Sequence, residues 1–393
     1  MSKPQYELAQ VIRDYGEDFG KKHAPLQYHL SVLSAIQTCR TAALGGHVEQ
    51  CDNCSCVRIS YNSCRNRHCP KCQGISRERW IAAQEAKLLA ATYFHVVFTL
   101  PQELNLYCLK HSAPLYNLLF QSSKETIETF ATDPRHLGAS AGMISVLHTW
   151  GQNLSLHPHV HMIVPGGGFN AAGCWKPSKQ RGTFLFPVKA MSKVFKHKFM
   201  EGLLKWLPTT TETITKDVRQ KLYSKDWVVY AKRPFGGPKQ VIEYLGRYTH
   251  KVAISNHRIK RIENGKVRFG YKDYADNSQQ KEMTLDAAEF LRRFCLHILP
   301  KGFRKIRHYG FLSNRNAARL GMQQMQMGII PQPKQKVKKE WKEVAKEKLH
   351  YDADACPCCK TGRMVTILAF QAHGPPAWAV TRYNQQQAAA KNR

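Results

Sequence analysis

An α+β chain built around an antiparallel sheet is predicted from three observations. Runs of β-branched and aromatic residues alternate with segments of helical periodicity. Two strand-like runs within 142–164 follow one another directly and end in Pro165-Gly166-Gly167-Gly168, a turn. Asn264-Gly265 separates two further runs, the dipeptide that a two-residue hairpin turn favours.

The elements follow in order. Tyr28, Val32, Ala35, Ile36 and Cys39 recur at three- and four-residue steps, so the opening segment to about Leu44 reads as helical. A second helix is expected from about Ser76 to Ala91. Tyr93–Leu100 reads as an inner strand stopped by Pro101. Residues 102–132 and 190–206 have helical patterns, Asp226–Ala231 reads as a short strand, and Lys239–His250 as a helix. Strands at 252–260 and 266–271 flank the Asn-Gly turn, and Leu285–His297 is helical. Past Gly321 the chain turns Gln/Met-rich and then Lys-rich, reading as linker plus a solvated helix. Three domains are expected: a helical, cysteine-rich one over 1–90, a larger α+β one over 91–320, and a basic linker and tail over 321–393.

Lys and Arg number 59 against 28 Asp and Glu, a net charge of +31 in 393 residues. With 43% hydrophobic residues the chain is not a disordered polyelectrolyte. No uncharged apolar run approaches the ~18 residues of a membrane span, and the N-terminus has no apolar signal region. A cytoplasmic, nucleoid-associated protein with a polyanionic partner, most commonly nucleic acid, is the expectation, with no membrane partner.

Thirteen cysteines in such a chain argue for thiols or metal rather than disulfides. Cys51-x2-Cys54 and Cys69-x2-Cys72 present two thiolate pairs able to converge on one structural zinc, with Cys64 and His68 as spare ligands. Arg58, Arg65, Arg67, Lys71, Arg77 and Arg79 surround the pairs, a knuckle suited to DNA contact. Cys356-Pro357-Cys358-Cys359 has no second pair nearby. A half-site, a second zinc with distant ligands such as His350, and free thiols are comparable readings of it.

On a strand of period two, His157, His159 and His161 share one face, and Leu156, Val160, Met162 and Val164 the other. Three imidazoles so placed can share a divalent cation, while Pro158 implies an edge strand or a bulge. On the Lys239–His250 helix, Tyr244 and Tyr248 lie one turn apart with Lys251 just beyond. Together these parts can perform phosphoryl transfer. A metal polarises a phosphate oxygen, a tyrosine attacks phosphorus, and the bond energy is kept in a phosphotyrosine. No Gx4GK[ST] phosphate loop is present. A basic run, Arg292, Arg293, Lys301, Arg304, Lys305 and Arg307, with Phe303 and Tyr309, suits backbone neutralisation and base stacking.

The chain resembles the IS91-type insertion-sequence transposases of the HUH endonuclease superfamily. The likeness lies in CRTAALGGHVEQCDNC…YNSCRNRHCPKCQG, HVVFTLP, HPHVHMIVPGGG, YLGRYTHKVAIS and FLRRFCLHILPKGFRKIRHYGFLSNR. It implies an HUH palm with a central antiparallel sheet and flanking helices, preceded by the small helical zinc-binding domain. It implies His159 and His161 as metal ligands with Mg²⁺ or Mn²⁺, Tyr244 and Tyr248 as paired nucleophiles, and a 5′-phosphotyrosine on single-stranded DNA in rolling-circle-like transposition. The C-terminal CPCC departs from the CPxCG pattern expected there. For the third ligand His157 is the first choice because it shares the strand face, with Gln152 and Gln240 as alternatives. A plasmid replication initiator or relaxase with the same chemistry, and a non-catalytic zinc-dependent DNA-binding regulator, are the alternative readings.

Overall fold

The computed structural model describes residues 4–179, 185–232, 238–274, 276–331 and 340–391; the side chains of residues 238, 239, 245, 247, 248, 390 and 391 lie outside the description. In chain order the elements are α1 (Leu8–His23), α2 (Gln27–Gln37), β1 (Gly46–Cys51), β2 (Val57–Tyr61), α3 (Gln73–Glu85), β3 (Tyr93–Thr99), α4 (Asn105–Lys110) and α5 (Ser112–Thr132). There follow β4 (Met143–Trp150), β5 (Leu156–Pro165), β6 (Gly167–Phe169), β7 (Trp175–Pro177), α6 (Val188–Trp206), α7 (Lys216–Ser224), β8 (Val229–Lys232) and α8 (Pro238–Thr249). The remainder is β9 (Ile259–Glu263), β10 (Lys266–Asp273), β11 (Gln279–Asp286), α9 (Ala287–Cys295), β12 (Ile306–Tyr309), α10 (Ala317–Gln326), α11 (Trp341–Leu349), β13 (Met364–Phe370) and α12 (Ala377–Lys391). The fold is α+β with antiparallel sheets. Among the described residues no helix is long and apolar enough to cross a membrane.

The chain forms two compact units whose boundaries differ from the three consecutive segments expected at 90 and 320. One comprises residues 80–251 and 299–334; the other gathers three separate segments, 1–79, 252–298 and 335–393. The C-terminal segment, expected as linker and tail, is thus part of the same unit as the N-terminal cysteines.

In the unit formed by 80–251 and 299–334, five strands form one antiparallel sheet in the order β12-β4-β5-β3-β8, with β5 at its centre. One face is wholly apolar: Phe94, Val96 and Phe98 of β3 and Val160, Met162 and Val164 of β5 join a single core with α5 and α6 residues such as Leu119, Phe120, Phe195 and Phe199. These helices supply their apolar stripes at helical spacing, and burial of a side chain such as Phe contributes about 1.5–3 kcal/mol. The opposite face divides. Ile144 and Ile163 pack with Val241 and Ile242 of α8, while the upper part of β5 carries histidines.

The three-segment unit contains more strand than the small helical domain expected. β1 lies between β2 and β13, so the sheet order is β13-β1-β2, with Gly46 opposite Phe370 and Cys51 opposite Met364. In the same unit, β9, β10 and β11 form a meander whose first turn is Asn264-Gly265, both residues at positive φ (48° and 72°) as that turn requires. β9 begins at Ile259 rather than near 252, and β11 covers residues for which no strand was expected. α9 packs against α1, whose first amide, that of Leu8, donates to Asn256 Oδ1 at 3.1 Å.

Candidate metal centre and cysteine clusters

The histidine site begins with a bulge. Trp150 of β4 pairs with Leu156 of β5, but His148 pairs with His159. Two residues of β5, His157 and Pro158, therefore oppose one of β4, Thr149. Proline cannot donate to a ladder, and a bulge is one of the few places in a sheet that tolerates it. A shift of one residue exchanges faces. Without this one, His148 would lie opposite Pro158; with it, His148 joins His159 and His161.

The ring nitrogens of His148, His159 and His161 all lie within 4.8 Å of one another. These side chains are 3%, 9% and 7% exposed. Burial pushes the basicity of His159 down to about 3 and that of His161 well below the ordinary imidazole range, aided for His161 by His148 nearby. Neutral imidazole is the form that ligates metals. The Nδ1 of His159 donates to the carbonyl of His157 at 2.6 Å, which directs Nε2 to ligand duty. His161 Nδ1 meets His95 Nε2 at 2.8 Å, with the two rings stacked 5.1 Å apart. If His161 ligates through Nε2, its Nδ1 donates and His95 accepts. His95 is itself buried, and burial pushes it down to about 4.

His157, the first choice for third ligand, is not in the converging set. Its side chain is exposed and it turns its carbonyl toward His159. His148, rather than His157, Gln152 or Gln240, completes the cluster with His159 and His161. It was missed because it lies on another strand and faces its partners only through the bulge. Tyr244, on α8, is 36% exposed and meets the His95 ring edge-on at 5.6 Å between centroids. Tyr248 is in α8, but its side chain lies outside the described residues. Lys251 is exposed just beyond α8, and its charge contributes to holding His159 and His161 neutral. The donor set suits a divalent cation, and three imidazoles favour Mn²⁺ over Mg²⁺.

The four cysteines expected on one zinc are divided. Cys69 and Cys72 converge with Cys39 and Cys64, whereas Cys51 and Cys54 converge with Cys356 and Cys359. In the first cluster Cys72 Sγ lies 3.5 Å from Cys39 Sγ and 3.7 Å from Cys64 Sγ. Cys39, named above only as part of the helical periodicity of the opening segment, is drawn into it from just beyond the end of α2. Cys56 and Cys358 form a disulfide, against the expectation of thiols or metal only.

The basic residues are also divided. Arg65 is exposed and Arg67 half-buried beside the first cysteine cluster, while Lys71 is paired with Glu7 at 2.5 Å. Arg292 and Arg293 belong to the three-segment unit, and both are bound by Glu289, at 2.6 and 2.7 Å. Arg304, Lys305 and Arg307 belong to the other unit. Lys305 lies over the Trp150 ring, and Arg307 over Phe120 and Phe303. Phe303, expected to stack on bases, is instead in the core against Tyr116 and Phe120.

His148, His159 and His161 thus form a buried candidate metal centre on the sheet, with Tyr244 of the adjoining helix set against His95. Residues 11–100 match a family described as a transposase zinc-binding domain, and residues 142–319 one described as a putative transposase. The chain is 45% identical over 393 residues to the putative transposase y4qJ of Sinorhizobium fredii, covering 96% of this chain and 98% of that one. It is 32% identical over 302 residues to the transposase for insertion sequence element IS801 of Pseudomonas savastanoi, covering 73% and 70%. The chain belongs to the IS91-type insertion-sequence transposases. Among solved structures, the metal-free conjugative relaxase TrwC in complex with OriT DNA matches 40% of this chain and 71% of that one, at 10% identity and a TM-score of 0.24.

Proposed function

We propose that this transposase nicks single-stranded DNA at transposon ends and carries the cut strand as a 5′-phosphotyrosine. The observation that carries the reading is the convergence of His148, His159 and His161 beside Tyr244. A divalent cation held by the three imidazoles would supply positive charge at a non-bridging phosphate oxygen and orient the scissile bond. The chain's own residues do the rest. The Tyr244 hydroxyl attacks phosphorus, the bond to the 3′ oxygen breaks, and that oxygen leaves with a proton as a free hydroxyl. One phosphodiester replaces another, so resealing needs no nucleotide hydrolysis. Lys251 offsets charge developing on the phosphate. Tyr248, one helical turn on, would provide a second nucleophile for strand exchange while the first link persists.

The family supports a DNA substrate, and the +31 charge supports tight backbone binding. The test mixes purified protein, Mn²⁺ and labelled single-stranded oligonucleotides spanning the element's ends. An SDS-resistant adduct is expected from the wild type and not from Tyr244→Phe combined with Tyr248→Phe. Absence of adduct from the wild type with every end sequence, or its persistence in the double variant, would overturn the reading.

A further inference from the structure

We propose that the chain holds two tetrathiolate zinc ions, and that the second is built by Cys51, Cys54, Cys356 and Cys359. The match to a transposase zinc-binding domain ends at residue 100, so it leaves the last two of these cysteines unassigned. All four Sγ atoms lie within 4.8 Å of one another. Cys51 and Cys359 are 3.7 Å apart, and Cys54 and Cys356 3.6 Å. A zinc–sulfur bond of ~2.3 Å gives a tetrahedron with edges of ~3.8 Å, so these separations fit one ion at the centre.

The surroundings form two matched turns. Amides of Asn53 and Cys54 donate to Cys51 Sγ at 3.4 and 3.5 Å; those of Cys358 and Gly362 donate to Cys356 and Cys359 at 3.4 and 3.3 Å. Such donors stabilise thiolates and orient them on a metal. Two further bonds lock the turns together: Arg363 N donates to Asp52 Oδ1 at 2.7 Å and Asp52 N to Arg363 O at 3.0 Å. Gly362 is needed for the approach, since a Cβ there would stand 2.4 Å from Cys51 Sγ. The Cys56–Cys358 disulfide uses the one cysteine of the CPCC run that the site does not. A closed set of four sulfurs with no carboxylate or imidazole selects zinc in a structural role.

The experiment counts zinc by elemental analysis in a background of His159→Ala with His161→Ala, so that the imidazole site contributes none. Two zinc ions per chain are expected. Cys356→Ser with Cys359→Ser should leave one, and Cys39→Ser with Cys64→Ser should also leave one. A count of one in the parent protein, or a count unchanged by the Cys356 and Cys359 substitutions, would overturn the proposal. Because the serine variants can misfold, the parent is also titrated with an organomercurial. Release of two zinc ions as thiols are consumed supports the site, whereas a non-reducing peptide map joining Cys51 or Cys54 to Cys356 or Cys359 by disulfides refutes it. None of these readouts requires DNA cleavage.

Discussion

His95 and His157 exchange the importance that sequence spacing would give them. His157 shares a pattern with the metal-binding histidines but offers its neighbour only a carbonyl. His95, 66 residues upstream in a run that reads as plain strand, fixes the ring of His161. Residues one step removed from a metal tune affinity by about 10–100-fold. His95→Ala is therefore expected to weaken Mn²⁺ binding by about that factor, and His157→Ala to change it by less than about threefold. Calorimetric titration of the two variants checks both, and a larger loss from His157→Ala would return that residue to the ligand set. His148→Ala should remove most measurable Mn²⁺ affinity.

Elements explain why so much of the chain was legible and why the rest was not. Helices α1, α2, α5, α6 and α9 and strands β3, β4 and β5 announce themselves through period and composition, because each buries one face or both in a local way. The third histidine and the zinc partners depend on pairings between distant segments, which periodicity does not encode. β13 is the clearest case. Only its ends, Met364 and Phe370, pack inward while Val365, Ile367 and Leu368 are largely exposed, so no alternating core face betrays it, and its strand character comes from β1. Gly362→Ala tests that junction. The clash with Cys51 should cost about 1–3 kcal/mol, read as a lowered melting temperature. At the start of α9, Glu289 is held down to about 2, chiefly by its hydrogen bond to Arg292 and then by Arg293. The pairs are thus intact above the ordinary value of 4.5 and are lost as pH falls toward 2. Much of the charge of Arg292 and Arg293 is already spent inside the protein at neutral pH. Glu289→Gln is expected to tighten single-stranded DNA binding at low salt, by filter-binding or anisotropy; weakening would mean that the pairs organise the surface instead.

At the scale of the whole molecule, the +31 charge is distributed over both compact units. Each phosphate neutralised on a single strand contributes about −0.7 to the slope of log K against log salt. Arg65→Ala and Arg304→Ala, which remove exposed charges, should each make that slope shallower by about this amount. Arg307→Ala should instead lower thermal stability, because the guanidinium lies 4.1 Å from the Phe120 ring centre and covers the core.

The antiparallel pairing of β1 with β13 also sets a clock. Cys54 and Cys356 are 302 residues apart. At ~5–20 residues per second a ribosome needs about 15–60 s to cross that span. Throughout that interval the nascent chain carries three thiols, those of Cys51, Cys54 and Cys56, and one β1 edge awaiting partners that have not yet been made. The histidine-bearing unit ends at Lys334, so all its residues are translated before that wait is over. The order of synthesis makes the N-terminal unit the last to be finished.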